Sequence, residues 1–167
     1  MTSSPKVLPD RVGMRPRTTP TNPHRQLDQR PSPAIIAELA RALFGLPHVR
    51  EAPSAISVPG ARGLWLEPAE AQGPHEAFLV GTEFAHLHPL PDGSLHAALP
   101  PSVATEAISH GWAEVHPMAR LGVVGPNVVM IYAPRDREEV GVVLQLIGAA
   151  LAFARGTHEN PPRAARG

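Results

Sequence analysis

Residues 84–100 read FAHLHPLPDGSLHAALP, two short alternating runs on either side of a Pro-Asp-Gly turn. Side chains alternate across a strand, so Phe84, His86 and His88 share one side of the first run and Ala85 and Leu87 take the other. In the second run Ser94, His96 and Ala98 share a side opposite Leu95, Ala97 and Leu99. The linker, residues 89–93, has a length that hairpins use. Pairing 88 with 94, 86 with 96 and 84 with 98 sets apolar residues against apolar ones on one face. A slip by one residue mixes leucines with histidines. The stretch therefore predicts an antiparallel hairpin in which His86 and His96 are cross-strand neighbours, their Cβ atoms about 5 Å apart. His88 follows on the same side, so three imidazoles converge beside Phe84 and Ala98.

The flanking sequence supplies the rest of a sheet and its helices. Ser32 is a good N-cap with Pro33 in the first helical position, and Ile35, Ile36, Leu39 and Leu43 follow the helical period until Gly45 and Pro47 stop it. AISVPG (55–60), GLWLEP (63–68) and EAFLVG (76–81) read as short strands bounded by Gly or Pro. PPSVATEAISHG (100–111) reads as a short helix, and WAEVHP (112–117) and NVVMIYAP (127–134) as strands. Asp136 and Glu139 have the spacing of a capping box, and Val140, Val143, Leu144, Ile147 and Leu151 then form one broad apolar helical face running through Phe153. No strand–helix–strand alternation runs throughout. The expected class is α+β: a mainly antiparallel sheet with a helix before it, a short helix within it and a long C-terminal helix packed on one face.

A chain of 167 residues suits one domain. The first 31 residues carry six basic and two acidic side chains among many prolines, and read as a disordered basic arm. The expected domain spans 32–154, and residues 155–167 read as a second disordered tail. Removing both leaves the domain net acidic, which argues against a nucleic-acid partner. No apolar run is long enough to cross a membrane and no secretory h-region is visible, so a cytoplasmic location without a membrane partner is expected. The chain has no cysteine, which excludes disulfides and thiolate chemistry. One lysine against fourteen arginines suggests a GC-rich genome. The oligomeric state is left open.

Three readings of the histidine patch stay open: a solvated hairpin face, a metal site, and a metal-free pocket in which imidazoles act as base or hydrogen-bond donors. The last is carried forward, with no cofactor, no metal, and a small aromatic molecule as ligand. His86, His88 and His96 are its candidate catalytic residues; Phe84, His116 and Tyr132 are its candidate substrate-binding residues. Trp65 and Trp112 read as packing residues, and His110 as a cation at a helix end. His24, His48, His75 and His158 fall in loops or tails and are expected to do nothing specific. Glu83 and Asp92 are candidates to orient imidazoles, with turn or surface roles weighed ahead of that. No nucleophile elbow, P-loop or dinucleotide fingerprint is present.

The run GTEFAHLHPLPDGSLHAALP, followed by AISHGWAEVHPMARLG, VVMIYAPRDREEV and the closing helix, resembles the luciferase-domain family over roughly residues 55–155. Fungal luciferases of that family oxidise a hydroxypyranone luciferin with molecular oxygen. The resemblance implies a pocket for a flat oxygenated aromatic and oxygen chemistry without an organic cofactor, with His86, His88, His96 and His116 as the positions carried over. The polar N-terminus departs from the apolar membrane segment of the fungal luciferases.

Overall fold

The computed structural model describes residues 6–159. Six strands form one sheet: β1 (Val49–Pro53), β2 (Arg62–Leu66), β3 (Glu83–Leu87), β4 (Leu95–Ala98), β5 (Ala113–Val115) and β6 (Val128–Ile131). Their order is β1-β2-β3-β4-β6-β5, and every neighbouring pair is antiparallel. Helix α1 (Pro33–Phe44) precedes the sheet, α2 (Pro101–Ser109) and the one-turn α3 (Pro117–Arg120) lie within it, and α4 (Arg137–Arg155) closes the chain. The class is α+β, as the sequence predicts.

The starts of α1 and α4 follow their sequence signals. The Ser32 side chain accepts from the Ile35 amide and Asp136 from the Glu139 amide. Glu139 completes its end differently from a capping box: its carboxylate takes the Arg135 amide and guanidinium. Gly156, in the left-handed region at φ 76°, ends α4. Helices α1 and α4 pack together on one face of the sheet, where Leu39, Leu43, Val143 and Ile147 meet Leu64, Ala85, Leu87, Leu95, Ala97, Val129 and Ile131. The other face carries the histidines.

Strands β3 and β4 pair Ala85 with Ala97, His86 with His96 and Leu87 with Leu95, the expected register. The pairing does not run on to residue 84. Leu64 pairs with Ala85 but Trp65 pairs with Glu83, so Phe84 is the extra residue of a β-bulge. The bulge breaks the alternation. It brings Glu83 onto the side of His86 and sends Phe84 into the hydrophobic core.

Two expected strands are loops. In 55–60 the Ser54 hydroxyl accepts the Ile56 and Ser57 amides and Glu83 accepts the Ala55 amide, so side chains take donors that a ladder would need. In 76–81 Pro74 starts a short 3-10 turn over His75–Ala77, and only Val80 bridges back to Glu83. The strand on that edge is instead β1, which has no fully buried residue and closes on a proline, as suits an edge position.

The leading segment is not disordered over its described part, residues 6–31. Leu8, Arg11, His24 and Gln26 are buried. The Arg11 amide donates to His110 O at 2.9 Å, Trp112 Nε1 donates to Pro9 O at 2.7 Å, and the Ala133 amide donates to Gln26 Oε1 at 2.9 Å. Residues 17–27 fold back on themselves through Leu27 N–H to Arg17 O at 2.8 Å and lie across the histidine face. The segment lacks apolar residues for a core of its own, but its polar groups pair with the domain. The expected disorder of residues 1–5 lies outside the described residues. At the other end α4 reaches Arg155, and Thr157 and His158 both donate backbone N–H groups to Ala152 O. The expected tail thus begins as ordered chain, and residues 160–167 lie outside the described residues.

Candidate functional site

Five histidines, His24, His86, His88, His96 and His116, line a cavity of about 460 Å³ on the face of the sheet opposite α1 and α4. One row across the sheet sets His86, His96, Met130 and Glu114 side by side. His88 stands two residues along β3's line, beyond its last residue, and its amide donates to Ser94 O at 2.9 Å. His116 caps α3 just after β5. His24 comes from the leading segment and lies over the row, its ring stacked on His96 at 5.1 Å between centroids. The walls are apolar: Ile56 and Val58 from the loop after β1, Leu79, Val128, and Met118, Val123 and Val124 from the stretch after β5.

A line of close polar contacts runs through the cluster. Glu83 Oε1 lies 2.9 Å from His86 Nδ1, His86 Nε2 lies 3.1 Å from His96 Nδ1, and His96 Nε2 lies 2.9 Å from His24 Nδ1. His24 Nε2 then meets Glu114 Oε1 at 2.6 Å, and Glu114 also accepts from Tyr132 Oη and Thr18 Oγ1. His88 stands beside this line. Its Nδ1 donates to Ser94 Oγ at 3.0 Å, and the Ser94 hydroxyl donates to Asp92. His116 Nδ1 accepts the Met118 amide at 3.0 Å, so its proton sits on Nε2.

Burial dominates the electrostatics. It holds His96 well below the usual histidine range, reinforced by the imidazoles of His88, His86, His116 and His24. Burial also lowers His86, although its bond to Glu83 pulls the other way. His116 is pushed down to about 4, by burial first and then by the nearby His24, His86 and His88. Burial pushes Tyr132 up to about 12, partly offset by Arg15. Burial raises Asp92 and Glu114, but their hydrogen bonds, led by those from His88 and His24, outweigh it and leave both carboxyls below the usual range. His86, His96 and His116 are therefore favoured as neutral rings, and Asp92 and Glu114 as ionised carboxylates.

The expected site residues divide cleanly. His86, His88, His96 and His116 line the cavity together. Phe84 does not; the bulge places it in the core. Tyr132 does not line it either, and instead holds Glu114, which holds His24. His24 was expected to be idle and is a full member of the cluster. Nothing in its neighbourhood TNPHRQ signals this, since its position depends on long-range hydrogen bonds such as Gln26 N–H to Asp92. Glu114 had a signal. E-x-H at 114–116 repeats the spacing of H-x-H at 86–88 and puts both side chains on one side of a strand. Glu83 and Asp92 orient imidazoles rather than serving turns alone.

Residues 81–150 match the family model described as Luciferase domain. A luciferase of Armillaria gallica is 32% identical over 162 residues, which cover 87% of this chain and 60% of the relative. Luciferases of Armillaria mellea and Neonothopanus nambi are 42% and 38% identical over 73 residues, 42% of this chain and 27% of each relative. The chain thus spans at most about 60% of the length of these relatives. No solved structure matches it. The domain match covers the hairpin, His116, β6 and most of α4, the longer alignments extend the likeness to the fungal luciferases over most of the chain, and residues 81–150 carry the Luciferase domain.

Proposed function

We propose that the chain is a small oxidative enzyme that binds a flat, oxygenated aromatic or polyketide-type molecule in the histidine-lined cavity. The observation that carries this reading is the convergence of five imidazoles on one side of an apolar-walled cavity of about 460 Å³, a size that suits small-molecule ligands. The apolar walls receive the ring system, and the imidazoles meet its oxygens. The two kinds of nitrogen have different uses. The His116 Nε2–H is a fixed donor for a ligand oxygen that gains negative charge. His88, protonated on Nδ1 toward Ser94, has a lone pair on Nε2 that takes the ligand's acidic hydroxyl proton. The anion left behind is electron-rich and reacts with molecular oxygen as the oxidant. The relatives named luciferase are consistent with oxygen chemistry at this site. A cytoplasmic setting is part of the same proposal; among the described residues no helix is long and apolar enough to cross a membrane.

The test is oxygen uptake by the purified chain with a panel of hydroxypyranones and hydroxyaromatic acids, alongside thermal shift. One or more should raise the Tm and consume oxygen, and His116→Ala should lower kcat/KM about 100-fold, as loss of one oxyanion donor does. Because His116 is only half-buried, its Tm should change little. Ligand binding without oxygen uptake would reassign the cavity to a binding module, and neither binding nor uptake across the panel would remove the proposal.

A further inference from the structure

The hydrogen bonds fix which ring nitrogen of each cluster histidine carries the proton, and one contact is left with none. The Ser94 hydroxyl spends its only hydrogen on Asp92, so it accepts from His88 Nδ1–H. Glu83 accepts from His86 Nδ1–H, and Glu114 accepts from His24 Nε2–H. The remaining nitrogens, His88 Nε2, His86 Nε2 and His24 Nδ1, carry lone pairs. His96 Nε2 faces the His24 Nδ1 lone pair at 2.9 Å and must donate to it. His96 Nδ1 is then a lone pair, and it faces the His86 Nε2 lone pair at 3.1 Å. Two such nitrogens repel unless a cation lies between them.

We propose that this cation is a divalent first-row transition-metal ion held by His86 Nε2, His88 Nε2 and His96 Nδ1, with its remaining coordination positions open to the cavity. A bridging proton would serve two nitrogens only. Three converge here, since His86, His88 and His96 each offer a ring nitrogen and these lie within 4.8 Å of one another. Imidazoles bound at 2.0–2.1 Å to a tetrahedral ion have nitrogens roughly 3.3 Å apart, close to the 3.1 Å between His86 and His96. The surroundings point the same way. Each proposed ligand has its other N–H held: His86 by the Glu83 carboxylate, His88 by Ser94 and through it Asp92, and His96 by the His24 ring, the arrangement that fixes the tautomer of metal-binding histidines. Glu83 is fully buried and its hydrogen-bond partners are Ser54, the Ala55 amide and His86, none of them a lysine or arginine. A buried carboxylate so placed needs a positive charge nearby. Neutral nitrogen ligands suit zinc, iron, copper or nickel rather than magnesium or calcium. The metal site does not depend on the proposed oxidation. If both hold, the ion occupies the His88 Nε2 lone pair, and acidification of a ligand hydroxyl bound at the ion takes the place of proton transfer to His88.

The test uses the full chain stripped with a chelator and titrated with zinc alone, without substrate. Calorimetry should show one site per chain. His88→Ala should weaken it at least 100-fold and Glu83→Gln about 10- to 100-fold, while His48→Ala leaves it unchanged. Circular dichroism reports whether each variant is folded. Should the cluster variants unfold, long-range ¹H–¹⁵N spectra of the zinc-loaded wild type still decide: the His86 Nε2, His88 Nε2 and His96 Nδ1 resonances should move together on zinc addition. No saturable binding, binding indifferent to His88→Ala, or unmoved nitrogens would each overturn the proposal. Absence of oxygen uptake would leave it standing, and absence of metal would leave the ligand-binding test above still to be read.

Discussion

At the residue scale, His116 illustrates how a single backbone hydrogen bond sets chemistry. As the cap of α3 it accepts the Met118 amide through Nδ1, which leaves Nε2–H as the only proton of the neutral ring. Nitrogen NMR at neutral pH should therefore find His116 in the Nε2–H form with an unprotonated Nδ1; the opposite tautomer would contradict its role as a donor. Legibility at this scale is uneven. His86, His88 and His96 can be read from the sequence because strand alternation fixes which side each takes. His24 cannot, since a histidine in a polar, proline-rich stretch looks the same whether solvated or pinned between His96 and Glu114.

At the scale of elements, the hairpin is held by its turn. Gly93 adopts φ 71°, and a Cβ there would lie 2.7 Å from Pro31 Cγ and 2.9 Å from Ile36 Cδ1. Gly93→Ala pays the left-handed strain of about 1–2 kcal/mol and must also displace α1 or the segment before it. A total loss of about 2–3 kcal/mol should appear in the urea midpoint; a loss below about 0.5 kcal/mol would mean the turn relaxes freely. Helices α1, α2 and α4 are legible because caps, stops and periodicity agree. The bulge at Phe84 is not, because it arises from a mismatch with β2 rather than from anything within EFAHL. The loop at 55–60 escapes for a similar reason. Its residues favour a strand, but Ser54 and the distant Glu83 capture their amides.

At the scale of the molecule, the leading segment closes one side of the cavity and supplies His24 to it. Composition judges whether a segment can bury apolar surface by itself, which this one cannot; it is ordered by hydrogen bonds to a sheet already built. Hydrogen exchange should accordingly show the Arg11 and Leu27 amides protected, at least about 100-fold over an unstructured peptide, because each is bonded to a carbonyl. Exchange at the free-peptide rate would return the segment to a loose arm. The same wrapping has a consequence for excision and transplantation. A fragment trimmed to the recognised stretch, residues 81–150, would keep four of the five imidazoles yet forfeit His24, strands β1 and β2, and the Ser54 and Ala55 donors that steady Glu83. Anyone grafting this chemistry onto another scaffold must carry the upstream chain with it, since the recognisable signature and the working unit have different boundaries.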